Sequence, residues 1–535
     1  MDRIPHSCHK RYALSSFFPK ASSRSLKSLD ARVLAVFERI VVALCDPARR
    51  NRTALIAALV YAAIWTLYAI VAKSSQGINA DLGEMVVWAR NLAWGYPKHP
   101  PLPAWILAGW FAIFPLADWA YYILAGLNLG IGLYLSFLLA GLWLDGAKQA
   151  VAPFLLALIP FYNFIGLKFD QNSILIPLWA LTTWAFVLSY ERRDAGYAAL
   201  AGVAAAAAML TKYWSVFLLF ALCVAALCDR RRGDYFRSAA PYLTVAVGGM
   251  LIAPHIIWLV QENYPPLIWV VTRRTAESAF VWWRNLPVYW FSTFAYSLVA
   301  LGTFVVLTRP SLAAWRDIFL PRDERRRMAA IIYWIPILFP IAFAAISRTT
   351  LVSVWNIPSL GLLPVVLLSS SLVELTRTAA ARIAGFATTV SLASLLASPF
   401  VSAGKLIGGV ENHALFIGAL VAEIETQWRA TTNRPLEIVA GSFTLTSSIA
   451  FTLRDKPSTY ADFSSYLSPW VDAAALMNKG IAAVCPLRDM VCMLNLENLV
   501  SRRPPVRRVE VELTPRWLGL SGAPDRFVIA IMPPH

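Results

Sequence analysis

The sequence predicts an all-α polytopic membrane protein that ends in a soluble α/β domain. Of its 535 residues, 58% are hydrophobic and only 15% are charged, whereas a soluble protein carries roughly a quarter charged residues. Apolar stretches long enough to cross a membrane, about 20 residues each, recur as far as residue 404 and then cease. These observations exclude a disordered chain, a coiled coil and an ordinary soluble enzyme.

The N-terminal residues 1–52 form a basic, serine-rich segment without the cleavage site of a signal peptide. We expect this segment to be cytoplasmic, with residues 30–46 forming an amphipathic helix on the inner membrane surface. Residues 53–404 form the predicted transmembrane domain of about eleven spans. The predicted spans are 54–73, 119–143, 149–167, 173–190, 195–211, 213–228, 239–261, 287–308, 328–347, 355–376 and 383–404.

The net charge of +17 comes largely from arginines that gather after every second span. Because basic loops stay in the cytoplasm, these clusters predict the orientation of the chain. No nucleic-acid-binding motif accompanies the charge, so we expect no nucleic-acid partner. With an odd number of spans, the C-terminal region lies outside, which is the periplasm of a bacterium. The clusters fall at residues 192–193, 230–237, 309–327 and 377–382.

Residues 74–118 are predicted to be one long outer loop. Its apolar part, residues 102–115, is 14 residues long, which is too short to span a bilayer and typical of an interfacial segment. We expect two short helices here, lying along the membrane.

Residues 405–535 have mixed composition, with β-like runs at 437–442, 508–514 and 526–531. They predict a periplasmic α/β domain, in which Cys485 and Cys492 could form a disulfide.

Carboxylates, cations and aromatic side chains gather in the loops of the predicted outer face. This combination suits the attack of a hydroxyl on an anionic, lipid-carried substrate. A carboxylate accepts the hydroxyl proton, and lysine or arginine stabilises the charge on a departing phosphate. These residue types alone do not identify the substrate as a sugar.

A series of motifs on this face carries a family resemblance. Asp81 lies just outside the first span, and a G-Y-x-x-HPPL-x-x-W stretch follows at residues 95–105. The chain resembles polytopic glycosyltransferases of the GT-C fold, specifically family 39 and its RgtA/B/C/D-like group. Protein mannosyltransferases and aminoarabinose transferases are relatives. The series continues with FDQNSILIPLWAL (169–181), MLTKYWS (209–215), APHIIWL (253–259), VWNIPSLGLLPV (354–365), SPWVDAAAL and the final PPH.

The resemblance implies that Asp81 is the catalytic base and that the donor is a polyprenyl-phosphate sugar, attacked with inversion. Two departures from the family pattern stand out. Leu82 follows Asp81 where many relatives have a second acid, and Lys98 occupies the place of an acid before the His-Pro-Pro motif. Because a lysine ammonium cannot ligate a metal, we assign no metal ligand and no certain cofactor.

Eight further residues are candidates for substrate binding, each with a plainer alternative. Asp81 could cap a helix with Glu84 as its partner, and lysines at helix ends often extend to lipid headgroups. His99 could equally hold the loop, and the adjacent arginines could bind a phosphate or only the lipid surface. The candidates are Glu84, Tyr96, Lys98, His99, Asp170, Lys212, Arg273 and Arg274.

The hypothesis from the sequence is a multi-pass glycosyltransferase of the bacterial inner membrane. Its partners would be a polyprenyl-phosphate sugar donor, a lipid-anchored or glycan acceptor of the cell envelope such as lipopolysaccharide, and membrane lipids. A transporter or flippase for a lipid-linked solute is one alternative, although transporters typically show repeated halves and the sequence has no evident internal repeat. A non-catalytic envelope-assembly protein is the other.

Overall fold

The computed structural model describes residues 23–275, 278–409 and 413–534. Residues 1–22 of the predicted N-terminal basic segment and the terminal His535 of the PPH motif therefore lie outside the described residues. A helical bundle is followed by a smaller domain with a β-sheet, in agreement with the predicted fold class.

Helices account for nearly all of the chain as far as residue 408, and short loops join them. Side-chain caps begin several of them: Thr376 accepts a hydrogen bond from the Ala379 amide at the start of the longest helix. In order they are α1 (Ser23–Cys45), α2 (Arg50–Ala72), α3 (Ala80–Arg90), α4 (Leu102–Ile113), α5 (Asp118–Ala140), α6 (Gly146–Ala157), α7 (Leu175–Arg192), α8 (Ala195–Thr211), α9 (Val216–Cys228), α10 (Arg232–Phe236), α11 (Ala240–Gln261), α12 (Pro265–Arg274), α13 (Ala279–Ala295), α14 (Leu298–Thr308), α15 (Leu312–Phe319), α16 (Glu324–Ser347), α17 (Leu363–Leu368) and α18 (Arg377–Gly408).

Most predicted spans fall on one helix or on a pair of consecutive helices, whereas the span 355–376 contains part of the 3₁₀ helix Ser353–Leu362 and α17 and is not helical after residue 368. Within the described residues, five helices are long and apolar enough to cross a membrane, namely α2, α5, α11, α16 and α18. Two bent pairs raise this number to seven: α6 with the 3₁₀ turns at 160–168, and α13 with α14. The remaining helices on predicted spans are shorter or less apolar, so the count of eleven stays a prediction.

The arginine clusters meet at one end of the bundle, which we call the arginine end. There, salt bridges join loops that are far apart in the sequence. Their convergence is what the sequence-based orientation requires, and the side of the membrane that this end faces stays a prediction. The pairs are Arg193–Asp234 at 3.3 Å, Arg230–Glu324 at 3.0 Å and Arg325–Glu191 at 2.8 Å.

The opposite end of the bundle, which we call the rim, carries the loop at residues 74–118. The loop contains the two expected short helices, α3 and α4. The 12-residue α4 is too short to span a bilayer. Apolar side chains from α3, α5 and the segment before α7 enclose a small core here. It includes Ile78, Leu82, Met85, Trp88, Tyr96, Tyr121, Phe169 and, from beyond the bundle, Phe451.

The C-terminal domain contains a five-stranded mixed sheet covered by helices. The strand order is β2-β1-β3-β7-β4, with β1 parallel to β2 and β3, and β7 antiparallel to β3 and β4. The three β-like runs of the sequence became β1, β4 and β7. In order the elements are α19 (Ile417–Arg429), β1 (Ile438–Gly441), α20 (Phe443–Thr452), β2 (Ser458–Ala461), α21 (Ala473–Asn478), β3 (Ile481–Pro486), α22 (Met490–Arg502), β4 (Arg507–Leu513), β5 (Arg516–Trp517), β6 (Leu520–Ser521) and β7 (Asp525–Met532).

A disulfide joins Cys485 at the end of β3 to Cys492 in the first turn of α22.

The C-terminal domain packs directly on the rim. Helix α20 lies against α3, where the backbones of Gly83 and Ser447 approach closely. The Tyr466 hydroxyl donates a 2.6 Å hydrogen bond to the carbonyl of Pro265 in α12. The domain thus covers part of the rim.

The contact between α3 and α20 leaves no room for a side chain at residue 83. A Cβ on Gly83 would lie 2.7 Å from the backbone of Ser447, and overpacking of this kind costs about 1–3 kcal/mol. We therefore expect Gly83→Ala to lower the melting temperature measured by tryptophan fluorescence in detergent. The matched control is Gly109→Ala in α4, where a Cβ meets nothing within 4 Å. Equal melting temperatures for the two variants would contradict the close packing.

Candidate active site

Asp81 is the second residue of α3 and its carboxylate is exposed at the rim. The side chain of Asn79 caps this helix by accepting a 3.1 Å hydrogen bond from the Asp81 amide. The alternative that Asp81 caps α3 is therefore wrong, because the cap lies two residues earlier. Among the described residues, no cation lies within 4.0 Å of its carboxylate, so this group faces the rim without an ion-pair partner.

Glu84 is not a capping partner either. Its buried carboxylate forms a 2.8 Å ion pair with the ammonium of Lys98. The same ammonium lies 3.8 Å from the centre of the Phe443 ring, at the start of α20. Burial raises the pKa of Glu84, and the positive charge of Lys98 opposes that rise. The C-terminal domain therefore closes over a lysine that the sequence had suggested for phosphate binding.

Tyr96 and His99 lie in the loop between α3 and α4. The Tyr96 ring stacks on Trp88 and its hydroxyl donates to the Trp88 carbonyl at 2.9 Å. These contacts support a structural role for Tyr96 within the loop. Burial lowers the pKa of His99 well below its ordinary value, and the charges of Lys212 and Lys98 add to this effect. The imidazole is therefore neutral near pH 7.

Asp170 and Lys212 approach each other from two different loops. The Asp170 carboxylate accepts hydrogen bonds from the amides of Asn172 and Ser173, each at 2.9 Å, and so holds the turn before α7. The Lys212 ammonium donates to the side-chain oxygen of Asn172 and lies 4.8 Å from the centre of the Trp355 ring. Asp170 thus shapes the turn that positions Lys212.

Burial lowers the pKa of Lys212 to about 7. The negative charge of Asp170 opposes this shift, and the nearby guanidinium of Arg274 strengthens it. A lysine with such a pKa changes charge near neutral pH, and a bound anion would favour its charged form.

The two adjacent arginines of α12 have different surroundings. The guanidinium of Arg274 lies over the Trp355 ring, 5.7 Å from its centre, on the side of Lys212. Arg273 instead lines a separate cavity of about 580 Å³ beneath the C-terminal domain, together with Asp462 and Tyr466. Trp269, which also lines this cavity, lies 5.9 Å from the Arg274 guanidinium, so a phosphate held by both arginines stays a prediction.

The candidate carboxylates and the candidate cations lie in the same part of the rim. Tyr121 lies close enough to interact electrostatically with both Asp81 and Asp170, and His99 is similarly close to Lys98 and Lys212. The carboxylates and the cations therefore border one region. His255, in the APHIIWL motif, bonds to the Tyr213 hydroxyl at 2.8 Å and to the Trp94 carbonyl. Its two ring nitrogens are thus both occupied.

The side chains at the rim do not fit a metal site. Within residues 23–275, 278–409 and 413–534, no three histidine, cysteine or carboxylate side chains cluster closely enough to hold an ion. Glu84, the acid nearest the His-Pro-Pro motif, is paired with Lys98. We therefore derive no chemical step through a metal.

Sequence reasoning missed Lys73 and Lys405 at the rim, and it placed Lys168 on the outer face without assigning it a role. Lys73 interacts electrostatically with both Lys405 and Lys168. A signal was present in the sequence: each follows an apolar stretch at its predicted outer end. Basic residues are less common at that end than in cytoplasmic loops.

Comparison with known proteins gives matches to glycosyltransferases. Residues 98–258 match the family described as dolichyl-phosphate-mannose-protein mannosyltransferase. Lipopolysaccharide core galacturonosyltransferase RgtB of Rhizobium johnstonii is 27% identical over 210 residues. That alignment covers 38% of this chain and 41% of RgtB, so the chain matches less than half the length of this relative.

The fold agrees with a solved structure over nearly its whole length. ArnT from Cupriavidus metallidurans, crystallised with undecaprenyl phosphate, matches with a TM-score of 0.59 and 12% identity. The match covers 88% of this chain and 97% of ArnT. The chain is thus similar in sequence to glycosyltransferases over part of its length and has the fold of ArnT over most of it. The resemblance to GT-C glycosyltransferases of family 39 is confirmed.

The ion pair between Glu84 and Lys98 generates a stability prediction. Both side chains are 11% exposed, and breaking a buried pair by removing one partner costs about 3–5 kcal/mol. We expect Glu84→Gln to lower the melting temperature clearly, because it leaves the Lys98 ammonium uncompensated. The double variant Glu84→Gln/Lys98→Met should recover most of that loss. A Glu84→Gln protein as stable as the native one would show that the pair is not buried.

Proposed function

We propose that the protein is an inverting glycosyltransferase of the bacterial inner membrane. It would transfer a hexose or pentose from a polyprenyl-phosphate donor to a cell-envelope acceptor at the outer face. In this proposal residues 53–404 form the catalytic domain, the N-terminus is cytoplasmic and residues 405–535 are periplasmic. The exposed, unpaired carboxylate of Asp81 beside a group of cations at one rim carries the proposal.

Asp81 is proposed to act as the general base. Its carboxylate takes the proton of the acceptor hydroxyl while that oxygen bonds to the anomeric carbon of the sugar. The bond between the anomeric carbon and the phosphate oxygen breaks in the same step, and polyprenyl phosphate leaves with the bonding electrons. A single displacement of this kind inverts the configuration at the anomeric carbon. An exposed carboxylate without an ion-pair partner is free to accept that proton.

Lys212 and Arg274 are the proposed partners of the departing phosphate. Both lie within 6 Å of the centre of the Trp355 ring, and their charges are close enough to interact. Cations placed where negative charge develops stabilise the transition state. Lys98 is less suited to bind the phosphate, because its charge is already neutralised by Glu84. His99, neutral and near both lysines, could accept a hydrogen bond from a sugar hydroxyl.

The two alternative functions, a transporter or flippase and an envelope-assembly protein, would need fewer functional side chains at the rim. A transporter or flippase would need no proton acceptor, and a non-catalytic assembly protein would need neither acid nor cations here. The names of the relatives add support for transfer: RgtB is described as a galacturonosyltransferase of the lipopolysaccharide core, and ArnT was crystallised with a polyprenyl phosphate. We therefore favour lipopolysaccharide or a similar lipid-anchored glycan as acceptor.

Asp81→Asn should abolish transfer while the protein stays folded, because the amide keeps the shape of the side chain but cannot accept the proton. The measurement is release of polyprenyl phosphate from a labelled lipid-linked sugar by purified protein with an envelope glycolipid. Glu512→Gln, at an exposed position of β4, is the matched control and should keep native turnover. Near-native turnover by Asp81→Asn would show that the base is another group.

The pKa of Lys212 generates a pH prediction. Its ammonium is charged below about pH 7 and neutral above it, so the affinity for undecaprenyl phosphate should fall as the pH rises from 6 to 8.5. Linkage to one proton limits this loss to about tenfold per pH unit. The control Lys212→Arg stays charged over this range and should remove that part of the pH dependence. Equal pH profiles for the native protein and Lys212→Arg would contradict the assignment.

A further inference from the structure

A second group of cations lies at the rim, apart from Lys212 and Arg274. We call Lys73, Lys168 and Lys405 the lysine group. Lys73 follows the end of α2, Lys168 ends the 3₁₀ turn before Asp170, and Lys405 lies in the last turn of α18. Lys73 and Lys405 lie close enough for their charges to repel each other, and Lys168 is close enough to interact with Lys73.

Hydrogen bonds fix the two segments that carry the closest pair. The Ser75 amide donates to the Ser402 side chain at 3.1 Å, and the Ser75 hydroxyl donates to the Ser402 carbonyl at 3.0 Å. Ser402 lies one helical turn before Lys405 in α18. These two hydrogen bonds hold the segments that carry Lys73 and Lys405 next to each other.

The lysine group has no negative partner in the part of the chain that the structure describes. No carboxylate there lies within ion-pair distance of any of the three ammonium groups, whereas Lys98 has Glu84. Two like charges at close range repel each other. An anion placed between them would replace this repulsion by charge-assisted hydrogen bonds, which are among the stronger polar contacts in proteins.

A cavity of about 660 Å³ opens at the segment that directly follows Lys73. Ser74 and Ser75 line it from the bundle, and Lys456 and Arg516 line it from the C-terminal domain. It therefore lies between the two domains and offers two more cations and one carboxylate, Asp118, which interacts electrostatically with Lys456. Bulk lipid headgroups need no such space between domains, so the cavity argues for a larger anionic ligand.

We infer that the lysine group and this cavity bind the anionic headgroup of a lipid-anchored glycan. A phosphate or carboxylate would lie between Lys73 and Lys405, and the polar glycan would extend into the cavity. Resting on the proposed function, this ligand is the acceptor, and Lys168 joins its site to the turn that holds Asp170. The donor phosphate and the acceptor anion would then use different cations at one rim.

The test compares ligand-induced changes in melting temperature for the purified full chain in detergent. Bisphosphorylated lipid A is the probe, with dephosphorylated lipid A and phosphatidylglycerol as the other arms. A ligand that binds only the folded state raises its melting temperature. Lipid A should raise that of the native protein, and Lys73→Ala/Lys405→Ala should weaken the binding by about tenfold or more.

Three controls separate binding from a structural role. Without ligand, the double alanine variant should melt no lower than the native protein, since the change removes a repulsion. Lys73→Arg/Lys405→Arg should keep the binding, and so should Lys479→Ala at an exposed position of the C-terminal domain. Asp81→Asn should also bind lipid A normally, so that a failure of transfer and a failure of this site give different results.

Two results would overturn the inference. If phosphatidylglycerol or dephosphorylated lipid A stabilised the protein as strongly as lipid A, the lysines would only contact the lipid surface or a neutral glycan. If the double alanine variant bound lipid A as tightly as the native protein, the anion would lie elsewhere.

Discussion

The packing of the rim loop against the C-terminal domain is the constraint on which the proposed site depends. Helix α3 presents Asp81 to the rim only because its other side, through Gly83, lies flush against α20. The same contact brings Phe443 over Lys98, and Lys98 in turn neutralises the buried Glu84. A helix of 11 residues would be marginal alone, so the position of the carboxylate depends on tertiary packing.

Electrostatic balance divides the rim into groups with different functions. Glu84 and Lys98 cancel each other within the structure. Asp170 orders the turn that positions Asn172, and Asn172 in turn accepts a hydrogen bond from Lys212. In the described part of the rim, Asp81, Lys212, Arg274 and the lysine group are charged groups without an ion-pair partner. Burying a charge without a partner of opposite charge costs free energy. Ligand-binding sites typically carry such charges, because the ligand supplies the partner.

The sequence predicted the architecture well where a simple physical rule applies. Apolar runs located the helices of the bundle, and arginine clusters such as that around Arg325 predicted which loops meet at one end. The resemblance carried by Asp81 and the HPPL motif agrees with the later comparisons. Capping was misjudged because Asn79 and Asp81 are both good caps, and only backbone geometry shows which one is used. Pairing across the chain, as between Lys73 and Lys405 or between Lys98 and Phe443, depends on tertiary contacts that no local pattern encodes.

The central claim is that the phosphate of an isoprenoid carrier binds at the rim, between Lys212 and Arg274 and facing Asp81. A cryo-electron microscopy structure of the full chain with undecaprenyl phosphate tests it most directly. The account predicts phosphate density within hydrogen-bonding distance of the Lys212 ammonium, with the isoprenoid chain running along the bundle. Density at the arginine end instead, or a phosphate on the far side of α3 from the Asp81 carboxylate, would contradict the account.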